Sequence, residues 1–233
     1  MKYKLTKNKK TIKEITLYQI EALKDFSDIK KGDLGGWIEK ESNLSQQGDC
    51  WVSCRARVYD NAIVSDNAWV FGNAWVSGCA RVCDNAIVSG NVMVYGDVWV
   101  YGRARVTGDA RFYGDAQVSG NAIVSGNARV FGNARVFGNV RVFDNSQVYG
   151  DARVYGRAMV FGNARVFGNA WVYGDARVSV CAWLYGDAIV SGNAQVYGDA
   201  QVSGDAWVYG DARVYGDARV SGNARVSGNA IIN

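Results

Sequence analysis

The chain of 233 residues contains no histidine and no proline. Without histidine it lacks the side chain that most often serves as general base, as proton switch near neutral pH and as metal ligand. Long apolar runs are also missing. No apolar stretch follows the charged N-terminal MKYKLTKNKK, so neither a membrane span nor a signal peptide is expected, and the expected setting is the cytoplasm with no membrane partner. Its five cysteines (50, 54, 79, 83 and 181) are an odd number, and in a reducing compartment they are expected to be free thiols.

Charge is scarce in sum and segregated in position. The net charge of +4, from 26 basic and 22 acidic residues, is too small by itself to require a nucleic-acid or anionic-membrane partner. Every Lys lies at or before Lys40, every Arg at or after Arg55, and no Glu follows Glu41. That break divides the chain into a head, residues 1–49, and a body, residues 50–233.

The body is one phrase repeated. From Val52 onward an apolar residue recurs every six positions (Val58, Val64, Val70 and so on through Phe112 and Leu184 to Ile232), without an insertion or deletion. Two residues before each stands a small one, nearly always Ala. A fixed period over such a distance is the signature of a solenoid and outranks local propensity. The order Ala-x-Val-x-Gly-Asn/Asp alternates inward and outward residues and then supplies two that tolerate a corner. Three such sides close a triangular coil of 18 residues, with Val filling each side and Ala alone expected to fit beside the vertices. Val130 should then stack between Phe112 and Val148. About ten coils, at about 4.8 Å each, give a rod of about 50 Å. The fold class is thus all-β, a single-stranded parallel β-helix, with corner Asn and Asp side chains bonded from coil to coil.

With these hexads the body resembles the hexapeptide-repeat, left-handed parallel β-helix proteins, a fold shared by many acyltransferases and by gamma-class carbonic anhydrases. The left hand is implied by that resemblance alone, since parallel crossovers are otherwise right-handed. In the head, KYKLT, the turn-like KNKK and TIKEITLYQIEALKDF suggest two strands of a hairpin, with an amphipathic helix over 16–26 as the alternative. The stretch KKGDLGGWIEKESNLSQQGDCWV resembles the head of YdcK-like hexapeptide-repeat proteins, a bacterial and prophage family. The head is placed to cover one open end of the tube, whose unpaired strand edge invites another chain. Trp37 and Ile38 are expected over the first apolar layer, with Leu44 entering that layer before Val52, and the C-terminal coil is expected to pair with another copy or to be masked by its last residues.

Catalysis is not expected. Acyltransferases of this resemblance rely on a His base and often on a loop inserted between coils, and the carbonic anhydrases hold zinc with three His; this chain offers neither. Cys50/Cys54 and Cys79/Cys83 have the spacing of a thiolate metal site. The hexad instead puts Cys50 at an inward Ala position, Cys54 and Cys79 at corners and Cys83 on an outer face, so neither metal nor cofactor is expected.

The outer faces carry the candidate binding surface. Every third hexad shares a side, and one side aligns Tyr95, Tyr113, Phe131, Tyr149, Phe167 and Tyr185, preceded in the outward column by Arg111, Arg129 and Arg165. Trp51, Trp69, Trp99, Trp171 and Trp207 are expected to project from the other two. Aromatic ladders stabilise a solenoid by stacking, with Arg over ring faces; a contiguous apolar stripe also marks interfaces, and stacked rings among Arg can grip nucleotides or nucleic acid. The expected function is a non-catalytic scaffold that binds protein through this side, as a homo-oligomer (dimer or trimer) or with a host partner. The alternatives are a phage anti-defence factor that binds a nucleotide signal, nucleic acid or a defence complex, and a degenerate hexapeptide acyltransferase. Val130→Asp, which buries an unpaired charge between coils, should abolish the cooperative unfolding transition seen by circular dichroism, whereas Arg129→Ala should leave it unchanged.

Overall fold

Each corner of the repeat demands a left-handed residue, and glycine meets that demand for two reasons. At Gly120, φ is +70°, and a Cβ there would stand 2.7 Å from the backbone N of Gly138, the corner one coil further on. The computed structural model describes residues 1–12 and 14–233, and from Trp51 to Ile232 it is a triangular tube of short parallel strands. Three sheets form its sides: the first has 13 strands, three of them from the head, the second 10 and the third 11. Strand pairs join residues eighteen apart, as in Arg57 with Trp75 and Val58 with Val76. The regular strand is shorter than four residues on most sides, two being usual, and reaches four at Arg111–Gly114, Arg129–Gly132, Arg135–Gly138 and Arg153–Gly156. The backbone ladder nevertheless runs on through the corners, where the N–H of Asn61 donates to the carbonyl of Gly78 and that of Asn121 to Gly138.

The valines line the tube. Val130 is fully buried and pairs with Phe112 on one side and Val148 on the other. At about 1.5–3 kcal/mol for each buried aliphatic side chain, this column is the main source of stability. Ala is not the sole occupant of the position beside the vertex, as had been expected: Val92, Val98 and Val140 are fully buried there, and so is Ser146, whose hydroxyl donates to the carbonyl of Phe143 at 2.8 Å.

The corners add polar ladders. Asn side chains donate one coil onward, from Asn73 to Asn91 at 2.9 Å and from Asn91 to Asp109 at 2.8 Å. Where glycine is replaced, aspartate usually stands in. Asp60, Asp84 and Asp144 adopt positive φ, and their carboxylates accept the N–H of Gly78, Gly102 and Gly162 one coil on. Asp tolerates this region and its side chain makes use of it.

The head is a hairpin followed by a strand of the solenoid. Strand β1 (Tyr3–Ile12) pairs antiparallel with β2 (Ile15–Ala22), which pairs with β3 (Leu34–Ile38), and β3 joins the first side in parallel with Arg57–Val58. The helix considered for 16–26 is therefore a strand over Ile15–Ala22. KNKK is not the turn: it falls inside β1, where the register shifts between Leu5 and Lys9, and pairing continues to Ile12 opposite Ile15. Ile38 and Leu44 align with Val58 and Val64 and, with Val52, complete one more coil, so the solenoid has about eleven turns. Trp37 does not cover the apolar layer; alternation along β3 turns it outward, in register with Arg57. Trp51 does not project, because the head covers it: it is 1% exposed, edge-on to Tyr3 and Phe26. Lys2 is buried as well, and its ammonium donates to the carbonyl of Cys50 at 2.8 Å and of Gly48 at 3.2 Å.

Two corners break the rule. Cys54 and Val180 hold φ +59° and +62° where glycine or aspartate otherwise stands, and Val180 does so with a branched side chain. Such a residue pays about 1–2 kcal/mol in the left-handed region, against about 0.5–1 kcal/mol for the greater freedom of an unfolded glycine. Val180→Gly should therefore raise the midpoint of thermal unfolding, by up to about 1 kcal/mol of stability; a lowered midpoint would show that the Val180 side chain contributes packing that outweighs its strain.

Candidate functional site

The coil spacing dictates how the outward aromatics meet. Rings one coil apart must lie parallel, because each leaves an identical backbone about 4.8 Å from the next. On the first side six of them form an unbroken ladder: the centroids are 5.4 Å apart from Tyr95 to Tyr113, 4.6 Å to Phe131, 4.7 Å to Tyr149, 4.8 Å to Phe167 and 5.2 Å to Tyr185. Between Phe131 and Phe167 successive rings are within 1° of parallel. Tyr113 to Tyr185 are half-buried and Tyr95 is exposed. Burial among these neighbours pushes the Tyr149 phenol above its usual range, so it remains a neutral donor.

The structure brings together all six predicted aromatics. It arranges the three arginines differently from the expectation of Arg over ladder rings. Arg165 lies over Trp183 at 4.9 Å, in its own outward column, and the other pairs of this kind, such as Arg153 with Trp171 and Arg81 with Trp99, do the same. Arg111 and Arg129 are neighbours in register and both are exposed. The ladders of the remaining sides are shorter, with Phe137, Tyr155 and Tyr173 on the second and the pairs Phe143–Phe161 and Tyr197–Tyr215 on the third.

A third column completes the first side, and sequence reasoning did not single it out. Just beyond the rings, at the corner that leads to the second side, stand Asp97, Asp115, Asp151, Asp187 and Asp205, all exposed. No basic residue shares that column, whereas Arg55, Arg103 and Arg157 occupy the other two corners. The face thus reads across as arginine, aromatic, aspartate. The signal was present in the hexads, and appears only when corner residues are sorted by side.

The cysteines are five free thiols among the described residues. Cys50 occupies the inward Ala position and is fully buried, Cys54 and Cys79 lie exposed at corners, and Cys83 is on an outer face. Cys83 has its donor atom within 4.8 Å of those of Asp66 and Asp84. That group is a corner device: Asp66 accepts from the N–H of Asp84 at 3.3 Å and Asp84 from that of Gly102 at 2.8 Å. Burial and the two neighbouring carboxylates push the Cys83 thiol up to about 11.

Comparison with known proteins bears on the family. The model of the YdcK β-solenoid repeat matches residues 56–71, 80–102, 116–174 and 182–233, more than half of the chain. Among curated proteins, the uncharacterized acetyltransferase YdcK of Escherichia coli K12 is 41% identical over 58 residues, which are 24% of this chain and 18% of that protein. Among solved structures, the UDP-N-acetylglucosamine acyltransferase of Francisella novicida is similar over 77% of this chain and 67% of its own, at 13% identity and a TM-score of 0.40. The expectation that the chain is not an enzyme is corrected by the YdcK relative, which is named an acetyltransferase. The physical fault lay in treating histidine as indispensable: acyl transfer from a thioester needs a base for the acceptor, and Lys, carboxylate or Tyr groups also serve.

If the ladder is one continuous stack, Phe131→Ala should divide it into unequal halves and cost about 1–3 kcal/mol in chemical denaturation, two ring contacts being lost together. Tyr209→Ala, at an exposed ring outside the ladder, should cost about 0.5 kcal/mol or less.

Proposed function

The chain belongs to the YdcK β-solenoid repeat family, and we propose that it works through the first side of its solenoid as a docking face for a second copy of itself. The observation that carries this reading is the order of the three columns, with Arg111, Arg129 and Arg165 on one edge, the ring ladder in the middle and the Asp corner on the other. A closed pair uses the same patch twice. With a two-fold axis parallel to the rod and over the ladder, rings meet rings and the arginine edge of each copy meets the aspartate edge of the other. An antiparallel pair would set arginine against arginine, so charge selects parallel rods.

Residue by residue the match is specific. Arg111 opposes Asp115 of its own coil in the other copy. Arg129 opposes Asn133, with Asp115 and Asp151 one coil away on either side, and Arg165 opposes Asn169, flanked likewise by Asp151 and Asp187. The half-buried rings supply apolar area in the centre, where desolvation counts most, and the charges form a rim that sets register.

A second reading, acetyl transfer, is favoured by the name of the YdcK relative. The matched segment covers 18% of that protein, so the chemistry of the whole relative is carried here as a proposal. Its test is the release of coenzyme A thiol from acetyl-coenzyme A in the presence of amine and sugar acceptors, with turnover above the uncatalysed rate supporting it. Self-association and catalysis are compatible, and each is tested without the other.

For self-association, light scattering behind size exclusion at tens of micromolar should give twice the 25.4 kDa of one chain. Arg111→Glu should shift the species to monomer, and Arg111→Glu combined with Asp115→Arg should restore the dimer. A wild-type monomer at that concentration, or a double variant that remains monomeric while folded, overturns the parallel pairing.

A further inference from the structure

Where the hairpin lies against the first two coils, two cations sit side by side without an acid. Lys10 of β1 places its ammonium 4.1 Å from the centre of the Trp37 ring. Trp37, Arg57 and Trp75 follow in register on the first side, and the Arg57 guanidinium lies 4.6 Å from the centre of the Trp75 ring. Neither Lys10 nor Arg57 forms an ion pair among the described residues; on the hairpin, Glu21 is engaged by Lys4 at 3.0 Å. Arg57 Nε is buried and has no hydrogen-bond partner, the one such side-chain atom among the described residues. Burial, and then the neighbouring Arg57, pull the Lys10 amine down to about 8.

Beside this pair is a cavity of about 180 Å³ lined by Ile12, Ile15, Leu17, Tyr59 and Trp75. Each cation is next to a residue of the lining: Lys10 pairs across the hairpin with Leu17, and Arg57 stacks on Trp75. An orphaned guanidinium donor, an ammonium disfavoured by burial and beside a like charge, and an apolar pocket next to them are three separate deficits. One kind of molecule relieves all three.

We infer that the crevice between the hairpin and the first side binds a small carboxylate with a compact apolar tail, the carboxylate held by Lys10 and Arg57 and the tail seated among Ile12, Ile15, Leu17, Tyr59 and Trp75. An anion there gives Arg57 Nε an acceptor, and charge-assisted bonds to a carboxylate are about twice as strong as neutral ones. The cavity limits the tail to a few carbons. The site lies on the first side itself, on the head side of Tyr95, where the ring ladder begins, and shares none of the ladder's rings.

The probes are hexanoate and its neutral counterpart hexanol, titrated by calorimetry into the full chain. Hexanoate should bind at least tenfold more tightly than hexanol near pH 7. Its affinity should be level between about pH 6, where hexanoate is fully ionised, and pH 8, and fall above that, because the protonated Lys10 is the form that holds the anion; the charged group facing that amine is Arg57, and a guanidinium stays charged throughout. Lys10→Gln should weaken hexanoate at least tenfold, remove the fall above pH 8 and leave hexanol unchanged, with the unfolding midpoint as a check that the hairpin remains in place. Arg57→Gln should weaken hexanoate by a similar factor. Equal affinity for the two probes, no saturable binding of hexanoate at millimolar concentration, or full hexanoate affinity in a folded Lys10→Gln variant would overturn the assignment.

Discussion

Everything in this molecule depends on a single repeat distance, eighteen residues along the chain for one strand spacing along the rod. Val58 meets Val76, Val118 meets Val136, and the corner amides bond across the same interval. A strand has period two, so a slip of one residue would turn the entire lining outward and place charged side chains inside. The left-handed corner is what prevents the slip, because only glycine, or aspartate with its side-chain acceptor, is accommodated there without strain. The monotony of the sequence is thus a packing requirement repeated in every coil.

That requirement made the solenoid legible from residues alone. Val130, Phe112 and Cys50 are where the hexad placed them, and the Asn ladders follow from stacking like on like. The head was harder to read, because no period protects it. KNKK has turn-forming composition yet is extended, since the register shift in β1 absorbs the extra residues and pairing with β2 continues to Ile12. Trp51 belongs to the outward column by its position in the hexad, but it lies in the coil that the hairpin covers, and Tyr3 and Phe26 bury it. Lys2 carried no signal of its burial at all; only the carbonyls of Gln47, Gly48 and Cys50, gathered where the chain enters its first full coil, explain it.

Function is written where the repeat is free to vary. The lining leaves no room for individuality, so chemistry must come from outward columns, corners and the junction with the head. The first side uses its columns to build a charged edge on either side of a stack of rings. The hairpin junction supplies what the uniform body cannot, an apolar pocket beside two cations without ion-pair partners among the described residues. Absence of histidine excludes one catalytic strategy for a β-solenoid and leaves others open.

The repeat distance itself is tested most directly by shortening the rod. Deleting residues 127–144 removes one whole coil and joins Gly126 to Asn145, whereas deleting 128–144 removes one residue fewer and breaks the phase. Scattering and thermal unfolding of the two proteins should show the first as a cooperative rod about 5 Å shorter than the parent, and the second as a protein whose body beyond the deletion has lost its packing. Equal behaviour of the two deletions, whether both fold or both fail, would contradict the account.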